Sequence, residues 1–287
     1  MVGLADAAGV VLAGGRSSRM GRAKADLEWH GSTLLHRTAA LLARTVGGPV
    51  LVVAAPDQDL PELPPRVEVV ADPVEGLGPM RGLATGLAAL EGRAPVAFVC
   101  STDLPFLHPA LIRRVLRGFA ADPEVDVVLP VARGYRQPLA AGYRTALAGL
   151  VEKLLGEGDL RPGMLFRHCR VTQLDDAALL DEPDLARLDP GLDSLVNVNE
   201  PADYAAALAR PEPTVVVERF GALASGGRRG PQPVRAASLG AAAAAAVGLE
   251  LDEHVVAALN GDQIMRDPEE PLATGDTVAF LAADAGG

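Results

Sequence analysis

GVVLAGGRSSRMGRAKADL, residues 9–27, is the stretch that decides the fold of this chain. The apolar run before Gly14 and Gly15 predicts a buried strand that leads into a glycine-rich turn. There, backbone N–H groups can approach a phosphate without a Cβ in the way. Arg19 and Lys24 follow the turn, and their cations would neutralise a polyphosphate. We therefore predict a nucleotide phosphate site with both as catalytic cations; the alternative is a strand followed by a solvated loop.

The composition sets limits on the class of protein. The 287 residues carry a net charge of −11 and are 49% hydrophobic but only 3% aromatic. An acidic chain with few aromatic rings argues against binding to nucleic acid or to an anionic membrane. The two cysteines, Cys100 and Cys169, form no disulfide framework and no C-x-x-C metal motif. With no recognisable secretory signal or membrane-spanning run, the sequence predicts a cytoplasmic protein.

Apolar strands alternate with helices through the first two-thirds of the chain. This alternation predicts an α/β fold, a Rossmann-like doubly wound and mostly parallel sheet. Such sheets bind ligands outside the carboxyl ends of their strands, where the glycine-rich turn falls. The predicted strands are residues 9–13, 49–54, 67–71, 96–100, 125–130 and 139–143. The predicted helices are residues 33–45, 82–90, 109–120 and 145–156.

A second unit is predicted after a short stiff linker at residues 211–213, which reads Pro-Glu-Pro. The predicted domains are therefore 1–210 and 214–287. In the second, Ser238 is placed to cap an alanine-rich helix. The predicted order of strand, strand, helix, strand and strand indicates a small α+β fold, one helix on a mixed sheet. These elements are residues 214–219, 234–236, 239–247, 254–259 and 277–281.

Asp103 follows an apolar strand by two residues and precedes Leu104-Pro105. Its carboxylate would project from the carboxyl edge of the strand, where a hard oxygen ligand suits Mg²⁺ that bridges phosphates. We therefore predict Asp103 as a metal ligand and a catalytic residue. The alternative is a cap for the helix that opens near Pro109, although Asp103 lies too far upstream to cap it directly.

Further polar residues follow other predicted strands. Asp72 ends a strand before a GLGPMRG loop, and a turn-forming aspartate there would be ordinary. Arg81, at the start of the next helix, either meets an anionic substrate or is a plain surface residue. Asn197 and Asn199 alternate along a predicted short strand and would face the same side. They form either the wall of a polar substrate pocket or a backbone cap.

Four stretches, LAGGRSSRMGRAKADL, ADPVEGLGPMRGL, STDLP and NVNEPADY, resemble the molybdenum cofactor nucleotidyltransferase (MobA) family over residues 8–209. The resemblance implies that the terminal phosphate of molybdopterin attacks the α-phosphorus of GTP and that pyrophosphate leaves. It also implies that Mg²⁺ is the cofactor. Relatives that use CTP usually carry Ala in place of the first glycine of LAGG, so Gly14 favours GTP; CTP or another phosphorylated acceptor is the alternative. The implied nucleotide contacts are Leu12, Ala13, Gly14, Lys24, Asp72 and Asp103, with Mg²⁺ on Asp103.

The stretch VVAALNGDQIMRDPEEPLATGDTVAFLAADAGG resembles the C-terminal half of the MoaD/ThiS sulfur-carrier family, which has a ubiquitin-like β-grasp fold. On the residues alone, Gly286 and Gly287 are a frayed tail or a narrow, flexible end that threads into another enzyme. The resemblance implies adenylation of Gly287 and conversion to a thiocarboxylate. It further implies two protein partners, an E1-like adenylating enzyme and the molybdopterin synthase large subunit. The alternative is a β-grasp binding or regulatory module that carries no sulfur.

Overall fold

The chain divides into two units in a computed structural model. The first contains residues 1–28 and 33–204, and the second contains residues 29–32 and 205–287. The structure describes residues 3–14, 23–74, 77–221, 223, 230–247, 251, 255–261 and 263–282. Residues 211–213 contain no helix or strand. Their role as a linker stays a prediction, as do the domain boundaries at residues 210 and 214.

A mostly parallel sheet runs through the first unit. The strands described between residues 7 and 174 are β1 (Ala7–Leu12), β2 (Glu28–Trp29), β3 (Ser32–Thr33), β4 (Val50–Ala54), β5 (Val67–Ala71), β6 (Val96–Ser101), β7 (Val127–Ala132), β8 (Tyr135–Arg136), β9 (Ala140–Arg144) and β10 (Val171–Leu174). Trp29 of β2 and Ser32 of β3 belong to the second unit. The main sheet has the order β10-β7-β9-β6-β1-β4-β5, with β8 paired to β7, whereas β2 and β3 pair separately. Strand β1 has the parallel neighbours β4 and β6, and β9 runs antiparallel to both β6 and β7.

Helices cover both faces of this sheet. Up to residue 208, the described helices are α1 (Leu34–Ala43), α2 (Pro79–Ala89), α3 (Pro109–Ala121), α4 (Ala148–Gly156), α5 (Pro162–Leu165), α6 (Asp176–Leu180), α7 (Pro183–Leu188) and α8 (Pro201–Leu208). Helix α8 continues from the first unit into the second at residue 205. One core packs α1 and α3 on the sheet, and the other packs α2 and α4 on the opposite face. Two covered faces explain the continuously apolar strands. Within the described ranges, no helix is long and apolar enough to cross a membrane.

The structure confirms the α/β fold with a mostly parallel sheet. Each strand and helix predicted up to residue 156 is present, with its ends shifted by at most a few residues. The sequence did not predict β10 or the short helices α5, α6 and α7. The strand predicted around Asn197 and Asn199 is wrong, because residues 196–199 form neither strand nor helix. Helix α3 is capped by His108, whose Nδ1 accepts the Ala110 N–H at 3.0 Å.

Among the described residues from 214 onward, one helix packs on a five-stranded sheet. These elements are β11 (Thr214–Arg219), β12 (Gln232–Arg235), α9 (Leu239–Val247), β13 (Val255–Leu259), β14 (Gln263–Met265) and β15 (Thr277–Ala282). The strand order is β12-β11-β15-β13-β14, and β11 and β15 pair in parallel. Ser238 Oγ accepts the Ala241 N–H at 3.2 Å, which confirms the predicted cap. Small Ala242 and Ala243 let the helix approach a core that contains Phe280.

Candidate functional site

The chain leaves β1 along the end of β4. The N–H groups of Ala13 and Gly14 both donate to the carbonyl of Val53, at 2.9 and 3.1 Å. A Cβ on Gly14 would lie 3.2 Å from the backbone nitrogen of Ala55, so a side chain there would crowd the neighbouring strand end. Leu12 and Ala13 are buried, whereas Gly14 is exposed. The backbone at Gly14 is thus open to a ligand at the carboxyl edge of the sheet.

Gln58 braces this turn from the other side. Its Nε2 donates to the carbonyl of Ala13 at 3.2 Å, and its Oε1 accepts the Ala55 N–H at 2.9 Å. No sequence pattern indicated Gln58, because it lies in an irregular segment four residues after β4. The predicted residues Gly15 and Arg19 lie outside the residues that the structure describes.

Lys24 and Asp103 meet at the carboxyl edge. Lys24 Nζ lies 3.2 Å from Asp103 Oδ2 and 2.9 Å from Asn199 Oδ1. The hydroxyl of Ser101, the last residue of β6, donates to Asp103 Oδ1. The side chains of Lys24 and Asp103 are 20% and 16% exposed, so a ligand can reach them while the pair stays partly desolvated. The structure thus brings together three residues predicted from separate stretches and adds Ser101.

Backbone hydrogen bonds hold Asn199 beside this pair. The Val198 N–H donates to the carbonyl of Asp103 at 2.9 Å. Asp203 Oδ2 accepts the N–H groups of Asn199 and Glu200, both at 3.0 Å, at the start of α8. Asn199 therefore points to Lys24 from a capped helix start, which replaces the predicted strand. Asn197 is exposed and makes no hydrogen bond to the described residues.

Asp72 and Arg81 belong to a second polar cluster. The Asp72 N–H donates to the carbonyl of Ala54 at 2.8 Å, which places this residue beside the end of β4. Arg81 Nε lies 3.3 Å from Asp72 Oδ1, and the Thr85 hydroxyl donates to the same oxygen at 2.9 Å. Arg81 also forms a two-pronged ion pair with Glu152 of α4, one prong being 2.7 Å long. Arg81 is buried, so the hypothesis that it is a plain surface residue is wrong.

The electrostatics of this cluster follow from its burial and its ion pairs. Burial raises the pKa of Asp72, while the Thr85 hydrogen bond and the Arg81 charge act in the opposite direction. The hydrogen bond from Arg81 lowers the pKa of Glu152, and the same bond raises the pKa of Arg81. Arg81 is thus held as a cation between two carboxyl groups. The sequence missed Thr85 and Glu152, because only the packing of α2 on α4 brings Glu152 to Arg81.

Asp103 fits a magnesium ion that is shared with phosphates. Its carboxylate accepts the Ser101 hydroxyl, and both the carboxylate and the amide oxygen of Asn199 contact the Lys24 ammonium. Oxygens of these kinds are the hard donors that Mg²⁺ prefers. Among the described residues, no group of three or more His, Cys, Asp or Glu side chains could enclose a metal. A single protein carboxylate with phosphate oxygens is a common arrangement for Mg²⁺ in phosphoryl-transfer sites.

The chain has this fold, with a lysine and a carboxylate at the carboxyl edge of the sheet, and it is an enzyme of the nucleotidyltransferase class. The sequence profile of one family, described as the MobA-like NTP transferase domain, matches residues 9–172. The chain belongs to this family. The match ends at residue 172, before the long segment of the second unit at residues 205–287.

Individual relatives extend the likeness. The chain is 45% identical over 161 residues to a "probable molybdenum cofactor guanylyltransferase" of Mycobacterium tuberculosis, which covers 55% of this chain and 78% of the relative. A Mycobacterium avium protein of the same description is 38% identical over 203 residues, covering 69% and 93%. The crystal structure of molybdopterin-guanine dinucleotide biosynthesis protein A from Archaeoglobus fulgidus is similar in fold, with a TM-score of 0.55 and 21% identity over 70% of this chain and 96% of that one.

Proposed function

We propose that the first unit transfers GMP from GTP to the terminal phosphate of molybdopterin and releases pyrophosphate. The names of the mycobacterial relatives support this activity. The observation that carries it is the meeting of Lys24, Asp103 and Asn199 at the carboxyl edge. An ammonium beside a carboxylate offers one group for phosphate oxygens and one for Mg²⁺. No nucleophilic side chain is needed, because the attacking oxygen belongs to the acceptor.

The proposed reaction exchanges one phosphoanhydride bond for another. An oxygen of the acceptor phosphate forms a bond to the α-phosphorus of GTP. The bond from the α-phosphorus to the bridging oxygen breaks, and its electron pair leaves with pyrophosphate. The charge that builds up on the phosphate oxygens has to be neutralised, and the reacting groups have to be held in line.

The residues of this chain would supply the positioning. Leu12, Ala13, Gly14 and Gly15 would cradle the nucleotide with their backbone, while Lys24 and Arg19 would bind its phosphates. Asp103 would hold Mg²⁺, which supplies charge neutralisation on the phosphate oxygens when bound.

Asp72, Arg81 and the two asparagines would act around these groups. Asp72 would contact the nucleotide, and Arg81, fixed by Glu152, would set the position of Asp72. Asn199 would orient the Lys24 ammonium through their hydrogen bond. Asn197 would line the acceptor side of the same segment as an exposed amide.

A nucleotide competition tests this proposal. Purified enzyme, molybdopterin and Mg²⁺ are incubated with equal GTP and CTP, each labelled at the α-phosphorus, and the attached nucleotide is identified. We expect GMP on the acceptor in wild type and none with Asp103→Asn. A matched control is Glu124→Gln, an exposed carboxylate that pairs with Arg170 on the surface. Attachment of CMP instead would refute the specificity for GTP. Transfer of neither nucleotide would refute molybdopterin as the acceptor.

We also propose that the second unit, within residues 214–287, is a β-grasp sulfur carrier. The observation that favours it is the sheet order β12-β11-β15-β13-β14, with one helix packed on the sheet. Strands β11 and β15, which come first and last of these along the chain, pair in parallel. The proposal requires a free carboxyl group on Gly287 in the mature protein. That group would be adenylated by an E1-like enzyme and converted to a thiocarboxylate for the large subunit of molybdopterin synthase.

Intact-mass measurement tests the carrier. The full chain is incubated with an E1-like adenylating enzyme, ATP and a sulfur source. We expect the mass gain of one sulfur-for-oxygen exchange, abolished by deletion of Gly287. No gain would leave the second unit as a binding or regulatory module. Both activities are proposed for the cytoplasm, in keeping with the free thiols of Cys100 and Cys169.

A further inference from the structure

Gln58 forms hydrogen bonds to the backbone just beyond the ends of two neighbouring strands, β1 and β4. It is half-buried and uses both ends of its side-chain amide. Its Oε1 accepts the Ala55 N–H at 2.9 Å, and its Nε2 donates to the carbonyl of Ala13 at 3.2 Å. The reversed amide would set donor against donor and acceptor against acceptor, so the two bonds fix its orientation.

On the β4 side, this contact continues to the next strand. The N–H of Ala55 and the carbonyl of Ala54 belong to the same peptide group. That carbonyl accepts the N–H of Asp72, the residue that follows β5, at 2.8 Å. The peptide group that Gln58 holds is therefore the one that also receives the backbone of Asp72.

On the β1 side, the contact continues into the glycine-rich turn. The carbonyl of Ala13 and the N–H of Gly14 belong to the same peptide group, and that N–H donates to the carbonyl of Val53 at 3.1 Å. Gln58 and Val53 thus hold this peptide plane from its two ends. A continuous chain of amides runs from the Asp72 backbone through the Gln58 side chain to Gly14. Hydrogen-bonded amides in such a chain polarise and strengthen one another.

The local backbone brings Gln58 to this place. Residues 55–58 form a turn in which the Gln58 N–H donates to the carbonyl of Ala55 at 3.2 Å. Pro56 restricts its own φ. Asp57 has a φ of 54°, in the left-handed region that few residues other than glycine adopt. The turn thus retains an unfavourable conformation at Asp57 while it directs the Gln58 amide to both strand ends.

We propose that Gln58 is a positioning residue that sets the distance between the glycine-rich turn and Asp72. This inference rests on the proposed function, in which the backbone at Gly14 and the carboxylate of Asp72 contact the same nucleotide. A site that is held in its binding geometry before the ligand arrives loses less free energy on binding. Gln58 acts through these two walls of the site and not through a contact of its own with the nucleotide.

Equilibrium dialysis of the full chain with labelled GTP and Mg²⁺, without acceptor, tests this role. Gln58→Met nearly keeps the side-chain volume and removes both hydrogen bonds, so we expect the Kd of GTP to rise by about tenfold. Gln58→Asn keeps an uncharged amide that is one methylene too short for both bonds. It should weaken GTP binding similarly, and it decides the matter if Gln58→Met does not fold. Asp59→Asn, in an exposed neighbour, is the control and should keep the wild-type Kd.

A double-mutant cycle with Asp72→Asn separates positioning from general stability. If Gln58 sets the distance to Asp72, its loss matters less once the Asp72 carboxylate is gone. The effect of Gln58→Met on the Kd should therefore fall to about threefold or less in that background. In steady-state kinetics, Gln58→Met should raise the KM for GTP and leave kcat within about twofold, as loss of uniform binding does. Circular dichroism checks the fold of each variant.

The outcomes separate this role from the proposed function. The positioning role is overturned by wild-type affinity in Gln58→Met, by an equal loss in Asp59→Asn, or by the same factor with and without the Asp72 carboxylate. Each of these results leaves GMP transfer standing. If wild type binds GTP but transfers nothing to molybdopterin, the proposed acceptor is refuted and the role of Gln58 stands. A wild-type chain that binds no GTP overturns both.

Discussion

Lys24 and Asp103 are 79 positions apart in the chain, yet Lys24 Nζ lies 3.2 Å from Asp103 Oδ2. The register of the sheet explains their meeting. Leu12, the last residue of β1, is paired with Ser101, the last residue of β6, so the segments after both strands leave the sheet at one point. A cation and a carboxylate held at this point are the arrangement on which the proposed phosphate site rests.

Loss of the Lys24 ammonium should reduce catalysis and spare the fold. We expect Lys24→Ala to lower kcat/KM for GMP transfer by about 100-fold or more, because one of the groups that neutralise the phosphates is gone. Steady-state kinetics measure this change. Lys153→Ala is the control, since Lys153 of α4 is exposed. Its Nζ forms a long ion pair, 3.9 Å, with Oε1 of Glu157, the residue that follows this helix. A Lys24→Ala enzyme with the turnover of the control would remove Lys24 from the mechanism.

Asn199 should matter through the orientation of Lys24. We expect Asn199→Ala to lower kcat/KM by about tenfold, the worth of one hydrogen bond to a charged group. Glu200→Ala is the control, because Glu200 is the exposed neighbour. Its backbone forms the hydrogen bonds at the start of α8, with the N–H donating to Asp203 and the carbonyl accepting from Tyr204. Equal kinetics for the two variants would show that the Asn199 amide does not position the ammonium.

The Arg81–Glu152 ion pair should make stability depend on pH. The folded state lowers the pKa of Glu152 from 4.5, so its contribution is complete above pH 4.5 and is lost as the pH falls through the lower folded value. We expect wild type to exceed Glu152→Gln in unfolding free energy by up to about 1 kcal/mol at neutral pH, as Glu152 is half exposed.

Urea unfolding from pH 7 to acid measures the gap between these two proteins, which should shrink below pH 4.5. Asp72 acts with the opposite sign, because burial raises its pKa in the folded state and the fold loses stability as this carboxyl group ionises with rising pH. Since Asp72 is present in both proteins, it largely cancels in the difference. A gap that stays constant across this range would contradict the assignment to Glu152.

Two glycines in helices should respond oppositely to alanine. A Cβ on Gly86 of α2 would lie 2.7 Å from Val10 Cγ1 in β1, so Gly86→Ala should destabilise the fold by about 1–3 kcal/mol. Gly149 of α4 has nothing within 4 Å of such a Cβ, and Gly149→Ala should be neutral or stabilise by up to about 1 kcal/mol. Thermal unfolding of both variants tests this contrast, and equal Tm changes would contradict it.

The fold of the first unit was predictable where the signal was local and long. Continuous apolar runs predict the strands β1, β4 and β6, and an amphipathic pattern predicts the helix α3. The short helices α6 and α7 do not, because one or two turns carry too little pattern. Valine alternates with asparagine at residues 196–199 as in a strand. However, the Val198 N–H donates to the carbonyl of Asp103, which lies outside any strand. Tertiary contacts override the period of two there.

The candidate site was predictable only where its residues follow strands. Lys24 and Asp103 stand out as polar groups behind apolar runs. The partner of Arg81 does not, because Glu152 lies on an ordinary helix and is 71 positions away. Thr85 likewise looks like any small helical residue until its hydroxyl is seen to donate to Asp72. Side-chain pairs made by packing between helices leave no mark in a single sequence.

The order of strands in the second unit has a consequence for folding during synthesis of the chain. The middle position of its sheet is filled by β15, the last of its strands to be synthesised, and β15 joins β11 to β13. On a ribosome that delivers the chain from the N-terminus, the first unit can fold early. The second cannot join its two halves until residues 277–282 emerge. A chain that terminates before β15 would thus retain the first unit and lack the strand that joins β11 to β13.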